Sequence, residues 1–220
     1  MKRQLYITAD GSHTIVLPDM QVTYHSTYGA LQESRHIFIQ AGLKYVMPKD
    51  SINVFEMGFG TGLNALLTVQ ESIQSRCHVY YQSVELYPLS MEDAEGLNYT
   101  TQLNDSSETF SLLHSSKWEE DIMINPLFTL HKSHDSITHL SVNKHFHVIY
   151  YDAFAPDVQP ELWEPVIFEK LYNWLHPGGV LVTYCSKGSV RRTMQSAGLK
   201  VEKLPGPPGK REILRAIKIN

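Results

Sequence analysis

A glycine-rich turn between an apolar strand and a helix-forming segment constrains the fold of this chain more than any other feature. Residues 54–64 read VFEMGFGTGLN, with three glycines at alternate positions, and a helix-forming segment follows at 65–73. Such glycines let the backbone approach a ligand closely, and the helix N-terminus offers unpaired N–H groups to a carboxylate or a phosphate. A dinucleotide-binding fingerprint would have its third glycine at position 63, where this chain has Leu63. The turn therefore predicts a strand, a ligand-binding loop and a helix.

Segments with strand and helix patterns alternate along the rest of the chain. Residues 5–24 predict short strands around an Asp10-Gly11 turn, and 28–40 predict a helix that ends near Gly42. Further strands are predicted at 52–57, 78–84, 110–114, 146–151 and 179–184, and further helices at 65–73, 91–103, 165–175 and 190–197. A sharp turn is predicted at 176–179, and a polar segment rich in histidine and serine, 115–144, interrupts the alternation.

This alternation predicts an α/β fold with a mostly parallel sheet, because parallel neighbours need helical crossovers. Strands expected at 200–204 and 212–219 flank a Gly-Pro-Pro-Gly turn and predict an antiparallel C-terminal hairpin at the sheet edge. We expect a single domain, 1–220. It would comprise an N-terminal extension with a β-hairpin and a helix (1–50) and a Rossmann-like core (51–220).

The composition is ordinary for a globular α/β domain. Of the 220 residues, 42% are hydrophobic and 19% charged, and no apolar run approaches the ~20 residues of a membrane span. The N-terminus lacks the apolar region of a signal peptide, and the two cysteines are far apart, so a reduced, cytoplasmic enzyme is expected. The eleven histidines have no cysteine or carboxylate at zinc spacing beyond Asp135, so no metal site is expected.

The spacing Glu-x-Gly-x-Gly-x-Gly at 56–62 resembles the pattern of S-adenosylmethionine (SAM) methyltransferases with a Rossmann-like sheet. The resemblance makes Gly58, Gly60 and Gly62 candidate cofactor-binding residues. Glu56 is a candidate as well, either by binding the amino group of the ligand or by bracing the turn, and the sequence leaves both interpretations open.

Acids also follow later strands, and ligands of open α/β sheets bind beyond the carboxyl ends of the strands. Glu85 comes roughly twenty residues after the glycine turn, where an acid meets ribose hydroxyls in nucleotide-binding folds. The alternative for Glu85 is a solvated acid at a strand end. Asp135 lies where methyltransferases commonly have an acid near the adenine amine, and its alternative is an ordinary loop acid.

A second motif, YDAFAP at 151–156, follows a fully apolar strand. An acid, an aromatic residue and a proline in this order resemble the Asp-Pro-Pro-Tyr loops of amine methyltransferases, which hold a nitrogen nucleophile in line with the sulfonium methyl group. Asp152 is therefore the candidate catalytic residue. It would either remove the proton of the amine or orient the neutral amine by accepting an N–H bond, and the sequence leaves both roles open. Phe154, which could stack on a flat base, and Pro156 are candidate substrate-binding residues. A cap of the next turn is the alternative role of Asp152.

Four blocks carry a wider resemblance: 28–35, 56–64, 152–163, and a last one with Gly178-Gly179 through Ser186, Val190-Arg191-Arg192, Gly198 and Gly209-Lys210-Arg211-Glu212. They resemble the methyltransferase domain of the MnmC family of tRNA wobble-uridine modification and its stand-alone counterparts. The resemblance implies SAM-dependent conversion of 5-aminomethyl-2-thiouridine to its 5-methylaminomethyl form, and it adds Tyr28, Glu33 and Asn64 to the candidate cofactor residues. Bifunctional members also carry an FAD-dependent oxidase. This sequence has no second glycine fingerprint, so FAD is not expected.

The last third of the chain is rich in cations although the net charge is −4. They are Lys187, Arg191, Arg192, Lys200, Lys203, Lys210, Arg211, Arg215 and Lys218. If the substrate is tRNA, these cations are the ones expected to bind it, with Lys187, Arg191, Arg192, Lys210 and Arg211 as the candidates. A solvated charged face is the alternative.

The function predicted from these residues is SAM-dependent methylation of an aminomethyl group on a tRNA wobble uridine, with the anticodon stem-loop as the partner. One alternative is a small-molecule amine methyltransferase, or an aminopropyltransferase of the spermidine-synthase kind. That enzyme would line its pocket with acids and make no use of the C-terminal cations. Another alternative is a nucleotide-binding regulatory domain in which Asp152 has a structural role only.

Overall fold

The N-terminal part is a small antiparallel sheet followed by a long helical segment. The computed structural model describes residues 2–219. The sheet consists of β1 (Gln4–Ile7), β2 (His13–Leu17) and β3 (Val22–Thr23), and the helical segment of α1 (Ala30–Ser34), a π-helical stretch (Arg35–Leu43) and α2 (Lys44–Val46). Gly42, expected to end the helix, lies inside it. A Cβ atom at Gly42 would be 2.9 Å from Cγ2 of Val182, so this glycine lets the helix pack closely on the central sheet.

An eight-stranded sheet forms the centre of the molecule. Its strands are β4 (Ser51–Met57), β5 (His78–Val84), β6 (Asp121–Asn125), β7 (Phe128–Ser133), β8 (Phe146–Tyr151), β9 (Leu175–Thr183), β10 (Leu199–Pro205) and β11 (Glu212–Lys218), in the spatial order β10-β11-β9-β8-β4-β5-β7-β6. The five strands from β9 to β7 are parallel, while β6, β11 and β10 pair antiparallel at the edges. The expected fold class, including the antiparallel C-terminal hairpin, is confirmed.

Helices cover both faces of this sheet, which is why its central strands are largely buried and mostly apolar. The helices after β4 are α3 (Leu63–Ser75), α4 (Met91–Glu95), α5 (Tyr99–Leu103), α6 (Ser107–Ser115), a 3-10 helix (Pro160–Trp163), α7 (Pro165–Trp174) and α8 (Gly188–Ser196). In β8, Val148 and Tyr150 belong to the core beneath α3 and the π-helical stretch. The alternate residues Ile149 and Tyr151 belong to the core beneath α7 and α8.

The predicted strand at 110–114 is wrong, because these residues lie in α6. The side chain of Ser106 accepts hydrogen bonds from the N–H groups of Glu108 and Thr109 and so caps this helix. Phe110 and Leu113, three residues apart, then share its buried face. The helical spacing was present in the sequence, but the segment is short enough to read as a strand.

The polar segment 115–144 was expected to interrupt the alternation of strands and helices. It instead supplies two strands of the central sheet, β6 and β7. In β7, Phe128, Leu130 and Lys132 alternate as buried residues, and the lysine hides the apolar pattern of the strand. The Nζ atom of Lys132 donates to the carbonyl oxygens of Leu113 and His114 at the end of α6, at 2.9 and 2.7 Å. These bonds satisfy a buried charge that a sequence pattern cannot reveal.

Two further expectations differ in detail. The single helix predicted at 91–103 is divided into α4 and α5 around Gly96. The sharp turn predicted at 176–179 lies within β9, whose register against β8 shifts between Phe146 and Val148. No helix among residues 2–219 is long and apolar enough to cross a membrane.

Candidate active site

A cavity of about 350 Å³ opens at the carboxyl ends of β4, β5 and β8. Of the two cavities that meet at Asp152 it is the larger, and we call it the larger cavity. Residues 58–61 of the glycine turn, Glu85 and Asp152 line it, together with Asp135 and Ser136. The ends of the three strands are tied together, because the N–H of Gly58 donates to the carbonyl oxygen of Val84 at 3.0 Å and the N–H of Asp152 to that of Met57 at 3.3 Å. The sheet therefore brings three acids and the glycine turn, which are far apart in sequence, to one edge, as expected for an open α/β fold.

The glycine turn has the backbone that only glycine adopts easily. Gly60 has a φ of 51° and Gly62 a φ of 72°. A Cβ atom at Gly62 would also lie 2.8 Å from Nε2 of His114, so both conformation and space require glycine there. The helix α3 begins directly after Gly62 and has no side-chain cap. Its first N–H groups therefore point toward the larger cavity without a side-chain acceptor.

Glu85 lies directly against this turn. Its Oε2 accepts the N–H of Gly60 at 3.0 Å, and its Oε1 accepts the N–H of Tyr87 at 2.8 Å. A carboxylate has about four acceptor sites, so two such bonds leave capacity for a pair of vicinal hydroxyls. Glu85 is therefore held in a fixed position on the cavity wall.

Glu56 is fully buried beneath the turn and is not among the residues that line the larger cavity. Burial and the charge of Asp152 raise the pKa of Glu56 to about 8, against the hydrogen bond that Ser83 donates. Ser83 donates to Oε2 at 3.0 Å, whereas Oε1 has no hydrogen-bond partner among residues 2–219. This position supports the interpretation of Glu56 as a brace of the turn.

Asp152 lies on the wall between the larger cavity and a second one of about 320 Å³. The Nδ2 atom of Asn64 donates to Oδ2 of Asp152 at 3.0 Å and orients its carboxyl group. Burial raises the pKa of Asp152 to about 7, and the charge of Glu33 raises it further, while Asn64 and Lys210 oppose the shift. Near neutral pH this group can therefore both accept and hold a proton.

The second cavity has aromatic walls. Tyr24, Phe154 and Tyr184 line it, and the rings of Tyr24 and Phe154 meet edge to face with centroids 5.4 Å apart. The hydroxyl of Tyr184 donates to the carbonyl oxygen of Ala153 at 2.8 Å, which fixes this wall beside Asp152. Flat apolar walls around one carboxyl group suit a planar ring that carries a polar substituent.

The N-terminal extension supplies walls of both cavities, which the sequence did not indicate. Leu17, Met20, Tyr24 and His25 line the larger cavity, and the last two also line the second. Burial lowers the pKa of His25 to about 4, so this ring is neutral near pH 7. These four residues belong to no sequence motif. They line the cavities only because the fold brings β3 and its neighbouring residues beside the glycine turn.

Several candidate residues lie away from the larger cavity. Tyr28 is 58% exposed and its ring packs against Gly209. Glu33, a candidate cofactor residue, lines the second cavity instead. Lys210 lies there too, with Nζ 3.4 Å from Oε1 of Glu33. Pro156 lines neither cavity.

The remaining C-terminal cations divide into bound and free ones. Lys187 pairs with Asp157, Lys200 and Arg215 with Glu202, and Lys203 with Glu212, while Lys218 donates to the carbonyl oxygens of Tyr172 and Leu175. Among residues 2–219, Arg191, Arg192 and Arg211 make no ion pair. Arg192 and Arg211 are also exposed, so these two are the cations most available to a phosphate.

Comparison with known proteins relates the chain to SAM-dependent methyltransferases. Residues 127–219 match the model of a family of S-adenosyl-L-methionine-dependent methyltransferases. The bifunctional protein MnmC of tRNA 5-methylaminomethyl-2-thiouridine biosynthesis from Stutzerimonas stutzeri is 30% identical over 213 residues, which are 87% of this chain and 31% of that protein. Its counterpart from Methylobacillus flagellatus is 28% identical over 204 residues, 87% of this chain and 32% of that protein. Over most of its length the chain is therefore similar to proteins of the MnmC type.

The chain is also similar to solved structures. The crystal structure of MNMC2 from Aquifex aeolicus matches 98% of the chain with a TM-score of 0.81 and 23% identity, and the match covers 69% of that protein. Spermidine synthase from Thermotoga maritima matches with a TM-score of 0.59 and 12% identity over 99% of this chain and 72% of that one. At these identities both matches describe the fold alone. The chain spans about a third of the length of the curated MnmC relatives it matches.

These matches confirm the predicted resemblance to the MnmC family and to SAM-dependent methyltransferases. The other predictions about ligands stay predictions. Within residues 2–219, no group of three histidine, cysteine or acidic side chains could hold a metal ion.

Proposed function

We propose that this domain transfers the methyl group of SAM to the aminomethyl nitrogen of a 5-aminomethyl-(2-thio)uridine at the wobble position of tRNA. The observation that carries the proposal is the position of Asp152 on the wall shared by two cavities. A cofactor bound in the larger cavity and a uridine base bound in the second cavity would meet at this carboxyl group. The names of the curated relatives supply the nucleoside, and tRNA modification would make the protein cytoplasmic.

The larger cavity suits SAM in each of its parts. The uncapped start of α3 after Gly62 would bind the carboxylate of the methionine moiety. Glu85 would accept the two ribose hydroxyls, and Asp135 would accept the adenine amine at the far end of the cavity. Asn64 would act indirectly, by holding Asp152. The glycine turn would run along the cofactor at contact distance.

The reaction is a direct displacement. The nitrogen lone pair attacks the methyl carbon, the bond from that carbon to sulfur breaks, and S-adenosylhomocysteine leaves. The amine must be neutral, yet an alkylamine with the ordinary pKa of a lysine, ~10.4, is mostly protonated near pH 7. Asp152 would take that proton, and the aromatic walls would exclude water and hold the nitrogen in line with the methyl group.

The exposed Arg192 and Arg211, with Lys187 and Arg191, would bind the phosphates of the anticodon stem-loop. Such contacts release counterions, so affinity for tRNA should fall with salt by a slope of about −0.7 to −0.9 per contact. The affinity for SAM should change little with salt, which separates the two binding events.

A second candidate, methyl transfer from SAM to a polyamine, gains support from the two acids Asp152 and Glu33 in the second cavity. Parallel assays of the purified protein decide between them: methyl transfer from SAM to tRNA that lacks the final methyl group, and to spermidine. We expect transfer to the tRNA and none to spermidine. Transfer to spermidine, with none to tRNA, would favour the second candidate and contradict the first.

A further inference from the structure

The second cavity contains an ion pair that the chemistry above does not use. Glu33 is only 7% exposed, and its Oε2 accepts the N–H of Ser26 at 2.7 Å. Its Oε1 lies 3.4 Å from Nζ of Lys210, which also stands 4.8 Å from the centroid of the Tyr184 ring. A buried carboxylate needs such partners, because its desolvation is costly.

Three separate parts of the fold bring these charges together. Glu33 comes from α1 of the N-terminal extension, Lys210 from the turn between β10 and β11, and Asp152 from the end of β8. With both acids ionised, two carboxylates face one ammonium group in one cavity. An ammonium ion that enters this cavity therefore competes with Lys210 for the carboxylate of Glu33.

We propose that Glu33 binds the ammonium form of the acceptor amine and that Lys210 is the counter-ion which this ammonium displaces. This inference rests on the proposed function and specifies its substrate as a primary alkylammonium on a planar base. Lys210 is 28% exposed in its side chain, so it can turn toward solvent when the substrate enters. Glu33 is held by Ser26 and stays in place.

The proton and the charges balance in this arrangement. The amine enters as an ammonium ion with one N–H donated to Glu33 and another directed to Asp152. Asp152 takes a proton and leaves a neutral amine, whose lone pair attacks the methyl carbon while a remaining N–H stays on Glu33. The product is a secondary ammonium ion, and the proton on Asp152 leaves to water.

The test measures the affinity of the protein for two anticodon stem-loop RNAs by titration. One RNA carries 5-aminomethyl-2-thiouridine, and the other carries the neutral 5-hydroxymethyl-2-thiouridine. The protein is saturated with S-adenosylhomocysteine in both titrations. The wild type should bind the aminomethyl RNA more tightly. Glu33→Gln can still accept from Ser26, and it should lose about 10- to 100-fold of this preference, the range of a hydrogen bond to a charged group. The exposed Glu169→Gln is the matched control and should keep it. An unchanged preference in Glu33→Gln would overturn the inference.

Lys210→Met gives a second, independent result. If Lys210 competes with the substrate ammonium, this variant should bind the aminomethyl RNA relatively better than the wild type does. An equal loss of affinity for both RNAs would instead assign Lys210 to phosphate binding and overturn its role as counter-ion. Failure of the proposed function is distinguishable, because the wild type would then methylate neither tRNA nor the aminomethyl RNA.

Discussion

At the residue scale, Asp152 combines opposing influences on one carboxyl group. Burial and the neighbouring Glu33 raise its pKa to about 7, while Asn64 and Lys210 stabilise the carboxylate. The motif around Asp152 made its candidacy predictable from the sequence. The resemblance also named Glu33 and Lys210 as candidates, but their position beside Asp152 was not predictable. Glu33 is more than a hundred residues from Asp152 in the sequence and Lys210 more than fifty, and only the fold brings them together.

Asp152→Ala should keep SAM binding and lose methyl transfer by ~10²-fold or more, the usual scale for a positioned proton-transfer group. Wild-type activity should rise from acidic to alkaline pH, because the carboxylate forms as the pH passes about 7 and the neutral amine becomes more abundant. Single-turnover rates across this pH range, with SAM affinity measured alongside, check both points. Near-normal turnover in Asp152→Ala would remove this residue from the mechanism.

Glu56 makes a prediction about stability. Its pKa rises from the model-compound value of 4.5 to about 8 in the folded protein, so the unfolded chain ionises first as the pH increases. The contribution of Glu56 to the free energy of unfolding is therefore largest below pH 4.5 and is lost progressively toward pH 8. The melting temperature of Glu56→Gln, measured relative to that of the wild type, should therefore be higher at pH 8 than at pH 5. A difference in melting temperature between the two proteins that is the same at pH 5 and at pH 8 would contradict this account.

At the element scale, the strand–turn–helix unit from β4 to α3 is where sequence and structure agree best. Apolar strand, alternating glycines and helix all carry local signals, and each is found as expected. Two short elements differ from the prediction. The helix α6 has a cap and helical spacing, but it is too short for the spacing to exclude a strand, and the buried Lys132 hides the apolar pattern of β7.

The turn should fail as a cofactor site when its close approach is blocked. Gly60 has a φ of 51°, and a Cβ atom there would lie 3.2 Å from Cδ1 of Tyr24. Gly60→Val should therefore strain the turn and abolish measurable SAM binding by calorimetry, whereas Gly178→Ala, with open space around its Cβ position, serves as a control for a positive-φ glycine outside the site. A folded Gly60→Val variant with unchanged SAM affinity would refute the cofactor assignment.

At the scale of the whole molecule, the site belongs to no single segment. The core supplies the cofactor turn and Asp152, the N-terminal extension supplies Tyr24 and Glu33, and the C-terminal hairpin supplies Lys210. The fold class followed from the alternation of strands and helices, because that pattern is local. The enclosure of the second cavity by the N-terminal extension and the C-terminal hairpin could not be predicted from that pattern, because it depends on contacts between segments that are distant in sequence.

Mass spectrometry of wobble nucleosides tests the central claim most directly. The purified protein would be incubated with SAM and with tRNA that carries 5-aminomethyl-2-thiouridine, and the tRNA then digested to nucleosides. Reactions without SAM and with Asp152→Ala are the controls. The account predicts that the aminomethyl nucleoside gains the mass of one methyl group and becomes 5-methylaminomethyl-2-thiouridine in the complete reaction alone. An unmodified wobble nucleoside, after incubation with folded protein that binds SAM, would contradict it.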